Sequence, residues 1–178
     1  MAQNYRLEFH SDEALTSCEL AVTSPGLIKV HVLVTGDGPL GGVNFKALKP
    51  PCMRSAVWLT DVWNQPTIYV VVGTTQRPDG VILIPNCEPD PPNTLRFLPV
   101  YLGWIWFSVT EPTDPCCVYG PGPSPTRTAP TFWLCTDYDE RPIAARPLVM
   151  NPNESCRCDV PLATRQTTWG AVKALYGD

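Results

Sequence analysis

The sequence predicts an all-β protein, an antiparallel β-sandwich of the Ig-like or jelly-roll-like kind, stapled by disulfides and ended by a short C-terminal helix. Three observations lead there. Pro is abundant at 21, Gly moderate at 12, and only four residues in 178 are Lys, which favours short strands between Pro-rich turns over long amphipathic helices. Apolar residues alternate over about ten short stretches separated by turn chemistry. The longest apolar stretch, Thr94–Glu111, carries Phe97, Tyr101, Trp104, Trp106 and Phe107 and is apolar on both parities. A strand of that kind is central, or has its second face covered by a partner.

In chain order, Tyr5–His10 alternates as a first strand, and Ser11-Asp12-Glu13 is its turn. Cys18–Thr23 is a second, ended by Ser24-Pro25-Gly26. Leu27–Thr35 sends Ile28, Val30, Val32 and Val34 to one face and Lys29, His31 and Leu33 to the other. Val43–Leu48, Val57–Val62, Thr67–Val72 and Val81–Ile84 follow, the last led in by the turn Pro78-Asp79-Gly80. Glu88–Asn93 is a rigid loop into the central stretch, where Pro99 and Gly103 argue for two strand segments joined by a bend or bulge. Residues 111–130, with six prolines and two glycines around Cys116-Cys117, read as an irregular, stapled surface excursion. Thr131–Cys135 and Ala144–Met150 are late strands. Near the C-terminus, Thr167 or Thr168 can cap a helix in which Trp169, Val172 and Tyr176 share a face. The organisation is thus a sandwich domain over 1–165 and a helical tail over 166–178.

The net charge of −4, without a Lys or Arg cluster, argues against a phosphate-neutralising surface, so nucleic acid is not an expected partner. No apolar run is long enough to span a membrane, and no signal peptide is read at the N-terminus. The cysteines, at 18, 52, 87, 116, 117, 135, 156 and 158, are even in number and lack the paired spacing of a zinc site. Cys18, Cys52, Cys87, Cys116, Cys117, Cys135, Cys156 and Cys158 therefore read as four disulfides formed in an oxidising compartment. Cys116-Cys117 and Cys156-Arg157-Cys158 are too close to pair within themselves. Cys52–Cys87 and Cys135 with Cys116 or Cys117 would each bracket a hairpin and are the expected pairs.

Candidate sites are sparse. His10 and His31 would meet if the first and third strands are neighbours, giving half of a copper or zinc site. The simpler expectation is two unrelated, half-exposed strand histidines. Ser11 and Ser17 lie near in sequence, but no nucleophile-elbow pattern marks either. Asp137-Tyr138-Asp139-Glu140 is oxygen-rich but lacks EF-hand spacing and reads as a solvated turn. Glu8, Asp61, Glu111 and Asp139 are carboxylates that no spacing singles out for glycoside hydrolysis. Asn153-Glu154-Ser155 fits the N-glycosylation pattern, which only a eukaryotic secretory route would use. The six tryptophans offer the most pointed hypothesis. Trp104 and Trp106 share a parity and, if exposed on a flat sheet face, would stack against sugar rings. The sequence leans the other way, towards these rings filling the core. No catalytic residue, metal ligand or cofactor is assigned.

The tail Thr167–Tyr176, with Trp169-Gly170, Lys173 and Leu175-Tyr176, resembles the Trp-Gly-x-x-Lys-x-Leu-Tyr endings of many uncharacterised, predicted secreted bacterial β-rich proteins. Asp12 with Cys18, Gly80-Val81 and Cys156-Arg157-Cys158 stand in places similar to segments of that family. The usual basic last residue is replaced here by Gly177-Asp178. The resemblance implies secretion and a β-rich fold and brings no activity with it. An ordinary docked helix burying Trp169 is the competing reading of the same residues.

Together these readings describe a secreted or cell-surface, non-enzymatic structural or binding module. It would associate with itself, as a subunit of a filament or shell. Two alternatives remain at this level. One is a carbohydrate-binding module with polysaccharide on Trp104 and Trp106. The other is a hydrolase or His-ligated metalloenzyme built on His10 and His31.

Overall fold

A computed structural model describes residues 5–65, 67–87 and 98–158. Leu95 and Phe97 of the central stretch, the 88–93 loop, and the expected helical tail with Trp169, Lys173 and Tyr176 lie outside the described residues. Among those described there is no helix. Thirteen strands occur: β1 Arg6–His10, β2 Glu19–Leu20, β3 Gly26–Thr35, β4 Leu40–Phe45, β5 Ala56–Trp63, β6 Ile68–Gly73, β7 Val81–Pro85, β8 Val100–Val109, β9 Cys117–Tyr119, β10 Thr131–Leu134, β11 Arg141–Pro142, β12 Ala144–Arg146 and β13 Leu148–Met150.

Two five-stranded sheets face each other. The first has the order β12-β1-β3-β8-β5 and the second β11-β10-β4-β7-β6, while β2-β13-β9 forms a small third sheet. Pairing is antiparallel except for β1 with β12 and β13 with β2, which are parallel. The period-2 pattern decides which side chains go inward. Ile28, Val30, Val32 and Val34 of β3 and Ile105, Phe107 and Val109 of β8 are buried on the inner face of the first sheet. Leu40, Val43, Phe45, Leu83 and Phe132 meet them from the second. Phe9 and Phe45 join the sheets edge to face at 6.2 Å, and Tyr119 lies 5.3 Å from both Phe9 and Phe107.

The expected break in the central strand is a bulge. Val100–Val109 runs as one strand, and the β3–β8 register shifts between Val32 and Leu33, where Gly103 stands. Gly103 has φ of +139°, and a Cβ there would fall 2.1 Å from the Val62 carbonyl oxygen. A side chain is excluded by both conformation and space. Pro99 lies just ahead of the strand, after a cis bond from Leu98.

The 111–130 segment is less irregular than its composition implies. Cys117–Tyr119 forms β9, with Leu148 opposite Tyr119 and Met150 opposite Cys117. Alternation explains it: Cys117 and Tyr119 are buried and Val118 is exposed. Tyr119 donates to the Ala47 carbonyl at 2.9 Å, so its hydroxyl is buried without being orphaned.

All eight cysteines pair, as Cys18–Cys158, Cys52–Cys117, Cys87–Cys135 and Cys116–Cys156. The expected hairpin staples, Cys52–Cys87 and Cys135 with Cys116 or Cys117, are not formed. The physical reason is topological: β4–β7 pairing and β10–β4 pairing bring Cys87, just past β7, beside Cys135, just past β10. Cys117 on β9 is carried instead to Cys52.

Two outcomes follow for stability. Replacing Cys52 and Cys117 by Ala removes a buried cross-link spanning 65 residues, and the loss in chemical denaturation is expected to be about 2–5 kcal/mol. Gly103→Val sets a β-branched side chain at positive φ against Val62, and a drop of at least about 2 kcal/mol is expected in the same assay.

Candidate functional site

The outer face of the first sheet carries most of the residues the sequence singles out. Glu8 and His10 on β1, Lys29 and His31 on β3, and Tyr101, Trp104 and Trp106 on β8 alternate with the inward apolar set. The β1–β3 register places His10 directly opposite His31. The two histidines are therefore neighbours, but they are 2% and 3% exposed rather than half-exposed. Each also has its own partner. His10 Nε2 lies 3.1 Å from a Glu8 carboxylate oxygen, which also accepts from Arg146 at 3.2 Å. His31 Nδ1 lies 2.8 Å from the Tyr101 hydroxyl. No group of three metal-ligating side chains occurs among the described residues. The Ser11 hydroxyl donates to the Glu19 carbonyl at 2.7 Å, away from either imidazole.

Burial disfavours the charged form of each of these groups. It pushes the Glu8 carboxyl up, but the hydrogen bond and charge from His10 and Arg146 outweigh it and hold the group below its ordinary value. Burial, then the Lys29 charge, lower His31, so the imidazole is held neutral. Burial, with the nearby Glu13 charge, pushes Tyr101 up to about 12.

Trp104 and Trp106 are half-buried on this outer face and do not fill the core. The Lys29 ammonium lies 4.4 Å from the Trp104 ring centroid and 5.9 Å from that of Trp106, and pairs with Glu13 at 2.7 Å. The core reading holds for Trp63, which packs edge-on against Phe45. Trp58 is half-buried and donates from its indole N–H to Asp61, which also receives Thr75. Trp133 lies across Gly42, where any Cβ would collide with its ring. Glu13, Leu15, Lys29, His31, Tyr101 and Trp104 line an open cavity of about 320 Å³.

The acidic turn is committed elsewhere. Glu140 takes both Arg127 and the Thr131 hydroxyl, and Asp137 takes Arg141. Asn153 turns its carboxamide oxygen onto Ser155.

The second sheet presents something the sequence did not single out. Among the described residues β6 pairs with β7 alone, and its Tyr69, Val70, Val71 and Val72 are 79%, 36%, 39% and 54% exposed. β5, at the corresponding edge of the first sheet, exposes Val57 and Leu59. The Asp61–Thr75 hydrogen bonds tie the two edges together, so one side of the sandwich is apolar and open. A strand apolar at every position was the available signal, but residues alone do not tell a central strand from an open one.

No family model and no curated protein matches this sequence. Solved structures do. The fold is similar to that of a chain in the crystal structure of the CaDoc0917–CaCohA2 complex at pH 5.5, with a TM-score of 0.55 and 13% identity, covering 84% of this chain and 99% of that one. It is similar also to a chain in the crystal structure of the sixth cohesin of Acetivibrio cellulolyticus scaffoldin B in complex with a mutant Cel5 dockerin. There the TM-score is 0.50 and the identity 8%, over 84% and 99% of the two chains. At such identities the likeness is one of fold. The architecture is a cohesin-like β-sandwich.

The shifts at Glu8 and His31 make stability fall on acidification. For each, the unfolded chain binds protons first, so stability is complete above the ordinary value and is lost as pH falls through the lowered one. Loss is expected in two stages, below 6.5 for His31 and below 4.5 for Glu8. Urea midpoints measured against pH should show both, and Glu8→Gln should shrink the lower stage, to which the lowered Asp12 and Glu140 carboxyls also contribute, while leaving the upper.

Proposed function

We propose that this protein is an extracellular, non-enzymatic binding module that takes a protein partner on the open side formed by β6 and β5. The observation that carries this reading is the exposure of Tyr69, Val70, Val71 and Val72 on a strand with one free edge. Four adjacent apolar residues at a sheet edge present unpaired backbone groups and apolar area together, a combination that proteins ordinarily guard with Lys, Pro or a covering loop. Ile68–Gly73 has no charged residue and no Pro. A partner strand or apolar surface laid there gains main-chain hydrogen bonds and buried area at once. Four disulfides suit an oxidising compartment and support an extracellular setting. The two solved structures of like fold are complexes named for cohesin and dockerin partners, which supports protein recognition as the use of this sandwich. His10, His31 and Ser11 are each bonded in ways that build no nucleophile–base pair.

The same edge favours a second reading, in which the partner is another copy of this chain, joined by strand addition into a dimer or filament. Light scattering during gel filtration separates the two. A monomer over a wide concentration range points to a foreign partner, whereas a mass rising with concentration, and abolished by Val71→Lys, points to self-association.

For the foreign partner, display of exported protein fragments from the source organism against the immobilised protein is expected to enrich binders. Tyr69→Lys and Val71→Lys, both at exposed positions, should each weaken them about tenfold or more. Enriched binders that hold equally to both variants would remove the edge from the proposal.

A further inference from the structure

The cavity beside Trp104 lies on the opposite sheet from the open β6 edge, and its chemistry is different. Its walls are Leu15, Tyr101 and Trp104, with His31 beneath and Lys29 and Glu13 at the rim. The volume, about 320 Å³, stands at the small end of small-molecule sites and suits one six-membered ring better than a peptide or lipid tail. Tyr101, and the part of the Trp104 indole that Lys29 leaves uncovered, offer flat apolar surface for the C–H face of such a ring.

The rim adds hydrogen bonding without net charge. The Lys29 ammonium and the Glu13 carboxylate stand 2.7 Å apart, a donor beside an acceptor, and each is a partner for one of two adjacent hydroxyls. The Glu13 side chain is 81% exposed and free to adjust, while Lys29 is held against the wall by its stacking over Trp104. His31 is held neutral, so the pocket has no unbalanced cation for an acidic ligand.

The rim is also fixed in place. The Asp12 carboxylate accepts from the Thr16 amide at 3.0 Å, the Thr16 hydroxyl at 2.6 Å and the Ser17 amide at 2.8 Å, closing the loop that carries Glu13 and Leu15. Cys18–Cys158 anchors the end of that loop. A site already shaped in the free protein does not spend binding energy on ordering itself.

We propose that this cavity is a subsite for a single neutral pyranose ring, with Tyr101 and Trp104 against its apolar face and the Lys29–Glu13 pair on adjacent hydroxyls. It stands apart from the protein-docking edge and does not depend on it.

The test uses the full chain, tryptophan fluorescence and calorimetry, and a panel of methyl glycosides of glucose, galactose, mannose and xylose, with methyl glucuronide as the acidic counterpart. Saturable binding of at least one neutral glycoside is expected, with a Kd on the order of millimolar, as suits one ring. Glu13→Gln, at an exposed position, and Lys29→Met should each weaken it about tenfold, and Val71→Lys on the other sheet should leave it unchanged. Absence of saturable binding across the panel, preference for the glucuronide, or equal affinity in both rim variants would each overturn the proposal. A wild-type protein that binds sugar while Val71→Lys retains every protein partner would sink the docking edge and leave this site standing.

Discussion

Between β3 and β8 the register runs from Gly26 opposite Val109 to Val34 opposite Val100, and most positions on the two strands are apolar or aromatic. Such a pair satisfies its backbone internally but leaves two faces to cover. The inner face is closed by the second sheet through Phe9, Phe45 and Phe107. Among the described residues no third layer closes the outer face in the same way. It is roofed in part by the 11–17 loop and by Lys29 lying over the indoles. The positions of the cavity, the buried histidines and the anchored loop all follow from this need to cover a second apolar face.

Alternation made much of the architecture legible. The inward set of β3, the bulge at Gly103 and the short strands between prolines follow from side-chain parity and from what Gly and Pro can do locally. The partners of those strands were harder to see. Cys52 and Cys87 lie 35 positions apart around three strands, two of which form a hairpin, and bracketing a hairpin is a sound local argument. Sheet order overrules it, since β7 and β10 both pair with β4 and deliver Cys87 to Cys135. The same long-range term hid β9, whose three residues are strand only because β13 is beside them.

The candidate site shows the same division. Parity placed Trp104 with Trp106 and Lys29 with His31, and it put His10 within reach of His31 once β1 and β3 were neighbours. Parity could not tell an inner face from an outer one on a strand apolar on both, which is why the core reading of the Trp pair failed. Burial of His10 and His31 depends on the loop and on Arg146 arriving from β12, far away in sequence. The exposure of Tyr69–Val72 depends on β6 ending its sheet, a property of strand order alone.

The Cys18–Cys158 bond closes a covalent circuit around every strand of the two main sheets except β1, and the other three disulfides lie inside it. Mechanically, tension entering at residue 158 passes straight to Cys18 and, of the two main sheets, loads β1 alone. Only the segment 5–18 stands in series with the load, a reach of roughly 45 Å when drawn straight. Everything between the two sulfurs stays slack. A partner held on β6 therefore sits on a surface that stretching this part of the chain cannot peel apart, so its grip is set by the contact itself and not by the strength of the fold beneath it.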